Sequence, residues 1–204
     1  MAPRPSTSPR AVARRVAKLT ALQYQLRIEL KHVEPLVWRR VLVPENVTLA
    51  RLHAILLGAM GWGGGHLHEF RIARCRYGIP DEEGWPDDDP LFDERRYRLK
   101  GLVESGARRF TYFYDFGDGW EHTIKVEDIV MPQSDGRPIR CIAGENACPP
   151  EDVGGPDGYA GFLTAIHDPA HEEHASMLSW AGGSFDPHAF NVADANERLA
   201  TIKT

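Results

Sequence analysis

The sequence predicts an α+β fold in which a mostly antiparallel β-sheet is built from hairpins. One helix is expected to pack on this sheet after the second strand, and the C-terminal region is expected to be helical. Three observations predict this fold. Apolar residues alternate at a period of two near the N-terminus, a strand-forming aromatic run surrounds a glycine turn in mid-chain, and apolar residues recur at helical spacing elsewhere.

The first hairpin is predicted over residues 24–43. Every second residue of its first strand is apolar, namely Tyr24, Leu26, Ile28 and Leu30. The same period continues after a turn at residues 32–35 and ends at Pro44. The residues on one side of this second strand are Val37, Arg39, Val41 and Val43. Such alternation is typical of half-buried antiparallel strands.

A helix is predicted over residues 49–60, because Thr48 suits an N-cap and Gly61 suits a helix end. Its apolar residues recur at helical spacing, namely Leu49, Leu52, Ile55, Leu56, Ala59 and Met60. His53 lies beside this face, and we expect it to be a histidine at the edge of the core with a backbone partner.

A second hairpin is predicted over residues 110–130. Residues 110–122 have the sequence F-T-Y-F-Y-D-F-G-D-G-W-E-H, in which a Gly-Asp-Gly turn separates two strand-forming runs. A further strand is expected over residues 66–72, and loops are expected over residues 77–90 and over the glycine-rich residues 141–159. The predicted C-terminal helices cover residues 158–167, a segment starting at Asp168-Pro169, and residues 189–202.

Length and composition fit one domain, residues 22–204, preceded by a basic flexible tail, residues 1–21. The tail has five basic residues and no acidic one: Arg4, Arg10, Arg14, Arg15 and Lys18. Without these bases the formal net charge falls from −5 to −10, with 19 basic and 29 acidic residues. Nucleic-acid binding is therefore expected only through the tail, which is either a binding arm or a leader without a role.

Location follows from the apolar pattern and the cysteines. No apolar run approaches the roughly 18 residues that span a bilayer, and the N-terminus lacks the apolar region of a signal peptide. The odd number of cysteines, Cys75, Cys141 and Cys148, indicates reduced thiols or ligands rather than disulfides. We therefore expect a cytoplasmic protein with no membrane partner.

Several motifs together carry a family resemblance: P-L-V-W-R-R-V-L-V-P, T-L-A-R-L-H-A-I-L-L-G-A-M-G-W with H-L-H-E-F, Y-D-F-G-D-G-W-E-H, and C-P-P-E-D-V-G-G-P-D-G-Y. They resemble the Ri-plasmid ORF-three-like family, whose members are also labelled TnpR-type passenger proteins of an insertion element. The resemblance runs over residues 22–202 and implies an α+β domain associated with plasmids and mobile elements. It does not imply a serine resolvase, because the chain has no basic recognition helix near its C-terminus.

A metal site is one interpretation of the polar residues. His66 and His68 are two apart on a predicted strand and would share a face, and His122 offers a third nitrogen. Asp118 would add an oxygen, so we expect His66, His68, Asp118 and His122 to hold a divalent metal such as Zn²⁺. Cys141 and Cys148 are possible sulfur ligands, although their spacing is not that of a zinc knuckle.

A polar groove without metal is the other interpretation. Its candidate residues are Asp115, Asp118, His122, Trp120, Glu151 and Asp152, and aromatic surface would come from Trp38, Trp62, Tyr112 and Trp120. The same acids and histidines are also compatible with a purely structural hydrogen-bond network.

Two functions are consistent with these interpretations. The first is a binding or accessory module for a ligand, protein or peptide, which we favour because no nucleophile–base pair is evident. The second is a metal-dependent phosphoester hydrolase with Asp115 or Glu121 as the base.

Overall fold

The computed structural model describes residues 22–80, 90–132 and 137–202. The predicted tail lies outside these residues. The strands are β1 (Gln23–Leu30), β2 (Trp38–Pro44), β3 (His68–Ile72), β4 (Cys75–Gly78), β5 (Leu91–Asp93), β6 (Arg109–Tyr114), β7 (Trp120–Val130) and β8 (Arg140–Glu145). The helices are α1 (Leu49–Met60), α2 (Leu99–Glu104), α3 (Gly155–His167), α4 (His174–Trp180) and α5 (Val192–Ala200), with a 3₁₀ turn at Glu94–Arg96.

All eight strands belong to one sheet, in the order β5-β4-β3-β6-β7-β1-β2-β8. Neighbouring strands are antiparallel except for the parallel pair β4 and β5. The α+β prediction is therefore confirmed, and the hairpin β6–β7 lies near the middle of the sheet. No helix in the described parts of the chain combines the length and apolar character needed to cross a membrane.

The first hairpin has the predicted alternation. Tyr24 pairs with Val43 and Leu26 pairs with Val41, and all four side chains are buried on the same face of the sheet. The opposite face is polar: Glu127 accepts hydrogen bonds from Arg40 and Gln25, and the Arg27 guanidinium lies 4.1 Å from the centre of the Trp38 ring.

Arg39 occupies the inner face together with these apolar residues and is 2% exposed. Its guanidinium donates hydrogen bonds to four backbone carbonyls, those of Trp38, Ala59, Glu145 and Asn146. It also lies 4.0 Å from the centre of the Phe190 ring. A buried cation needs such a complete set of partners, and here these partners join the end of α1 to the end of β8.

Helix α1 begins and ends as predicted. The Thr48 hydroxyl accepts a hydrogen bond from the Arg51 amide, and Gly61 ends the helix in the left-handed region at φ 101°. The prediction for His53 needs a correction, because its Nδ1 lies 2.7 Å from the Tyr112 hydroxyl rather than beside a backbone group. Its ring stacks on His68 with the ring centres 3.5 Å apart.

Residues 140–145 form strand β8, which corrects the prediction of loop throughout residues 141–159. Gly144 interrupts the alternation that would have predicted this strand. A glycine is needed there because a Cβ would lie 2.6 Å from the Phe190 ring. The exposed edge of β8 meets α5, where the Asn196 side-chain oxygen accepts from the Cys141 amide and its nitrogen donates to the Cys141 carbonyl.

Other boundaries also differ from prediction. Strand β4 continues to Gly78, within the predicted loop 77–90, and β5 and α2 had no predicted counterpart. Helix α3 begins at Gly155, three residues before the predicted start, and α4 begins only at His174. The second hairpin is confirmed, with Tyr112 opposite His122 and Tyr114 opposite Trp120.

Candidate functional site

Three loops meet at the end of the sheet where β6 turns into β7. They are residues 61–67 before β3, residues 115–119 in the turn, and residues 148–154 before α3. The Asp115 amide donates to the Leu67 carbonyl at 2.9 Å. The Gly154 amide donates to Asp118 Oδ2 at 3.2 Å. The two motifs at residues 110–122 and 148–159 therefore lie side by side at this end of the sheet.

Gly155 fixes this junction. Its φ is 71°, which disfavours any residue with a side chain, and an added Cβ would overlap the Asp118 carbonyl oxygen. The backbone of the turn therefore lies directly against the backbone at the start of α3, three residues after Asp152.

His66 lies between two carboxylates in this junction. Its Nδ1 is 3.3 Å from Asp115 Oδ2, and its Nε2 is 3.3 Å from Asp152 Oδ1. One possible ligand atom from each of the three residues lies within 4.8 Å of the others. The side chains differ in exposure: 13% for Asp115, 34% for His66 and 71% for Asp152. The inner side of the site, at Asp115, is thus largely buried, and the outer side, at Asp152, is exposed to solvent.

The inner carboxylate is fixed by its own turn. Asp115 Oδ1 accepts hydrogen bonds from the amides of Gly117 and Asp118 at 2.9 and 3.3 Å. Asp115 also has a left-handed backbone, with φ 54°, as does Asp152, with φ 60°. Because Oδ1 is used in the turn, Oδ2 is the oxygen that Asp115 presents to His66.

Glu151, a predicted groove residue, has a structural role. Its carboxylate accepts hydrogen bonds from the amides of Gly63 and Gly64 and from the Tyr114 hydroxyl, the last at 2.8 Å. Burial and this carboxylate raise the pKa of Tyr114. Glu151 therefore holds the glycine loop against residues 148–154.

The predicted aromatic surface lies mostly beneath the site. Trp62, Tyr112 and Trp120 are 6% exposed or less, so they are core residues and do not line a groove. Trp62 stacks on Tyr114 with centres 5.2 Å apart, and its indole N–H donates to the Pro149 carbonyl. Trp120, a predicted groove residue, thus supports the site from within.

The structure brings His66 to Asp115 and Asp152, not to the other predicted ligands. His66 lies in a bend before β3, so strand alternation does not place it on the face of His68. The buried His68 instead has its Nε2 2.9 Å from Glu94 Oε2. Asp118 faces the Gly154 amide.

His122 lies in the core. It is fully buried, with Nδ1 3.3 Å from the Tyr112 carbonyl and its ring edge-on to Trp62. Its Nε2 has no hydrogen-bond partner among the described residues. Burial lowers the pKa of His122 to about 4, so the imidazole is neutral at neutral pH.

The cysteines do not join this group. Cys141 is buried and Cys148 half-buried, and burial raises the pKa of both thiols, that of Cys148 to about 12. Because their pKa is raised, both side chains are neutral thiols at neutral pH. The form that binds metal is the thiolate. Glu121, predicted as an alternative base, has its Oε2 3.7 Å from His32 Nε2.

A cleft of about 350 Å³ lies beside the outer carboxylate. Its lining residues are Asp152, Val153, Gly158, Phe162, Ser176, Met177 and Trp180. Met177 and Trp180 line this cleft although neither was predicted as a site residue. Helix α4, which carries both residues, is short and buries none of its side chains, which leaves them at the cleft.

A second cleft, of about 490 Å³, lies near α2 and is bordered by basic residues. Those residues have partners: Arg96 with Asp93, Arg98 with the Asn46 carbonyl, and Lys100 with Glu45. The basic groups that border this cleft are therefore already engaged within the protein.

Comparison with known proteins agrees with this fold. The chain is 46% identical over 182 residues to the uncharacterized protein y4hQ of Sinorhizobium fredii, covering 89% of this chain and 92% of the relative. A crystal structure of a protein of unknown function from Methanosarcina mazei Go1 superposes with a TM-score of 0.77 at 32% identity, covering 86% of this chain and 98% of that one. The model of the plasmid pRiA4b ORF-3-like proteins matches residues 22–194. The chain therefore belongs to the plasmid pRiA4b ORF-3-like family.

Proposed function

We propose that this protein is a binding module whose site, His66 with Asp115 and Asp152, holds a divalent transition-metal ion such as Zn²⁺. The observation that carries the proposal is the position of the His66 ring, 3.3 Å from a carboxylate on each side. Metal–ligand bonds of about 2.0–2.2 Å separate two tetrahedral ligands by about 3.3–3.6 Å, and His66 Nε2 lies 3.3 Å from Asp152 Oδ1. The two carboxylates also keep the site negative whichever form His66 takes.

The two ring nitrogens have different roles in this proposal. The outer side is open, so His66 Nε2 and Asp152 bind the ion there. Asp115 Oδ2, 3.3 Å from Nδ1, faces the Nδ1–H group and orients the ring, as carboxylates commonly do behind metal-binding histidines. A mononuclear site of this kind leaves coordination positions for a further ligand.

The biological setting is part of the same proposal. The family description names a plasmid, which supports an accessory role on a mobile element. All three cysteines are free thiols, which suits the reducing cytoplasm.

Calorimetric titration of untagged, EDTA-treated protein with Zn²⁺ tests the site. We expect about one bound equivalent per chain. His66→Gln and Asp152→Asn should remove most of the affinity, and Asp115→Asn should weaken it by about 10–100-fold, since Asp115 only orients the ring.

The controls are His167→Gln, which changes an exposed histidine elsewhere, and His68→Gln, which changes a ligand of the set expected from sequence. Both should bind Zn²⁺ like the wild type. Uptake below about a tenth of an equivalent, or unchanged affinity in His66→Gln, would show that the proposal is wrong.

A metal-dependent phosphoester hydrolase is the second candidate, and the open outer side of the site favours it because water could reach an ion there. Binding without catalysis remains preferred, because both predicted bases have partners: Glu121 contacts His32 and Asp115 contacts His66. If the chain is a hydrolase, bis(p-nitrophenyl) phosphate should be cleaved in Zn²⁺ or Mn²⁺, and Asp152→Asn should abolish cleavage. Equal rates for both proteins would reject this function.

A further inference from the structure

The cleft between α3 and α4 combines an apolar wall with a carboxylate at its border. Phe162, Met177 and Trp180 supply the wall, and Asp152 supplies the carboxylate. Its volume of about 350 Å³ lies at the lower end of the range for sites that bind small ligands or single side chains.

The Trp180 side chain is large and yet strongly exposed to solvent. It is 49% exposed, and its ring meets Phe162 with centres 5.9 Å apart at an angle of 72°. Helix α4 buries none of its residues. A large exposed indole in the same cleft as a carboxylate is a combination that attracts a cation with an apolar stem.

The charge of the surrounding chain points the same way. Residues 141–197 contain ten acidic residues and no lysine or arginine. Besides Asp152, the acids Glu172 and Glu173 lie directly before α4 and are exposed. This region therefore complements a basic partner and repels an acidic one.

We infer that the cleft binds one arginine side chain of a partner peptide, with the guanidinium between the Trp180 ring and the Asp152 carboxylate. Arginine fits better than lysine, because its planar group stacks on an indole and pairs with both oxygens of a carboxylate. The inference does not depend on the proposed metal, because it requires only that the Asp152 carboxylate, which lies 3.3 Å from His66 Nε2 and is 71% exposed, be accessible from the cleft.

The test uses the full-length protein in EDTA, so that a missing metal cannot cause a negative result. The probe is the peptide acetyl-Gly-Gly-Arg-Gly-Gly-amide, followed by NMR through the backbone amide signals of α3 and α4, which both cleft variants retain. We expect saturable binding that weakens by about tenfold in Trp180→Ala and in Asp152→Asn. The lysine peptide should bind more weakly than the arginine peptide.

Glu197→Gln is the matched control, since it removes an exposed acid of α5 outside the cleft, and it should leave the dissociation constant unchanged within about twofold. A citrulline peptide, which keeps the shape without the charge, should not bind. Three results would overturn the inference: no saturable shift with the arginine peptide, equal binding of the citrulline peptide, or unchanged binding in both cleft variants.

Discussion

The imidazole of His122 is enclosed by Trp62 and Tyr112, and its neutral form is the one that the core accommodates. Burial lowers its pKa from an unfolded value near 6.5 to about 4. Between these two values the unfolded chain binds a proton that the folded chain does not. The free energy of unfolding must therefore fall as the pH drops from about 6.5 towards 4.

This dependence is testable with His122→Phe, which keeps an aromatic ring in the core and removes the titration. Urea unfolding at pH 7.5 and pH 5 should show that the wild type loses about 2 kcal/mol more than the variant over this interval. His53, whose pKa burial lowers to about 3, contributes a separate slope in both proteins. Equal losses in wild type and variant would mean that His122 does not titrate as described.

At the scale of elements, the site depends on how α3 meets the β6–β7 turn. Gly154 and Gly155 both have positive φ, and the Gly154 amide donates to Asp118. Helix α3 therefore starts directly on the turn that carries Asp115, and the strand, the turn and the helix position the site together.

Gly155→Ala should disrupt this junction. The new Cβ would overlap the Asp118 carbonyl oxygen in a backbone conformation unfavourable for alanine, so we expect a destabilisation of about 2 kcal/mol or more. Gly161→Ala is the matched control, because a Cβ at that position of α3 has no heavy atom within 4 Å in the described chain. It should be neutral or stabilising by up to about 1 kcal/mol. Urea unfolding of both variants measures the difference, and equal stability would contradict the close contact at Gly155.

At the scale of the molecule, alternation and capping residues predicted the two hairpins and α1, because each has a local pattern that its burial matches. Strand β8 escaped prediction because its Gly144 makes room for Phe190, a contact between residues distant in sequence. Short elements such as β5 and α2 have too few residues for a period to be visible.

The candidate site was predictable only in part. The sequence indicated candidate site residues in the two glycine motifs, because aspartates at glycine turns commonly present polar atoms. Which histidine joins them was not visible, because the choice depends on where β3 begins. His68 begins that strand and is buried against Glu94, whereas His66 lies before it and reaches Asp115 and Asp152.

The hydrogen bonds between Asn196 and the backbone of Cys141 have a consequence for how copies of this protein behave beside one another. An edge strand of a sheet has unpaired amides and carbonyls that another chain can pair with, and such pairing is a common start of aggregation. On β8 one side-chain amide engages both groups of Cys141, as a ninth strand would. Helix α5, which carries Asn196, thereby covers part of the β8 edge and disfavours self-association there.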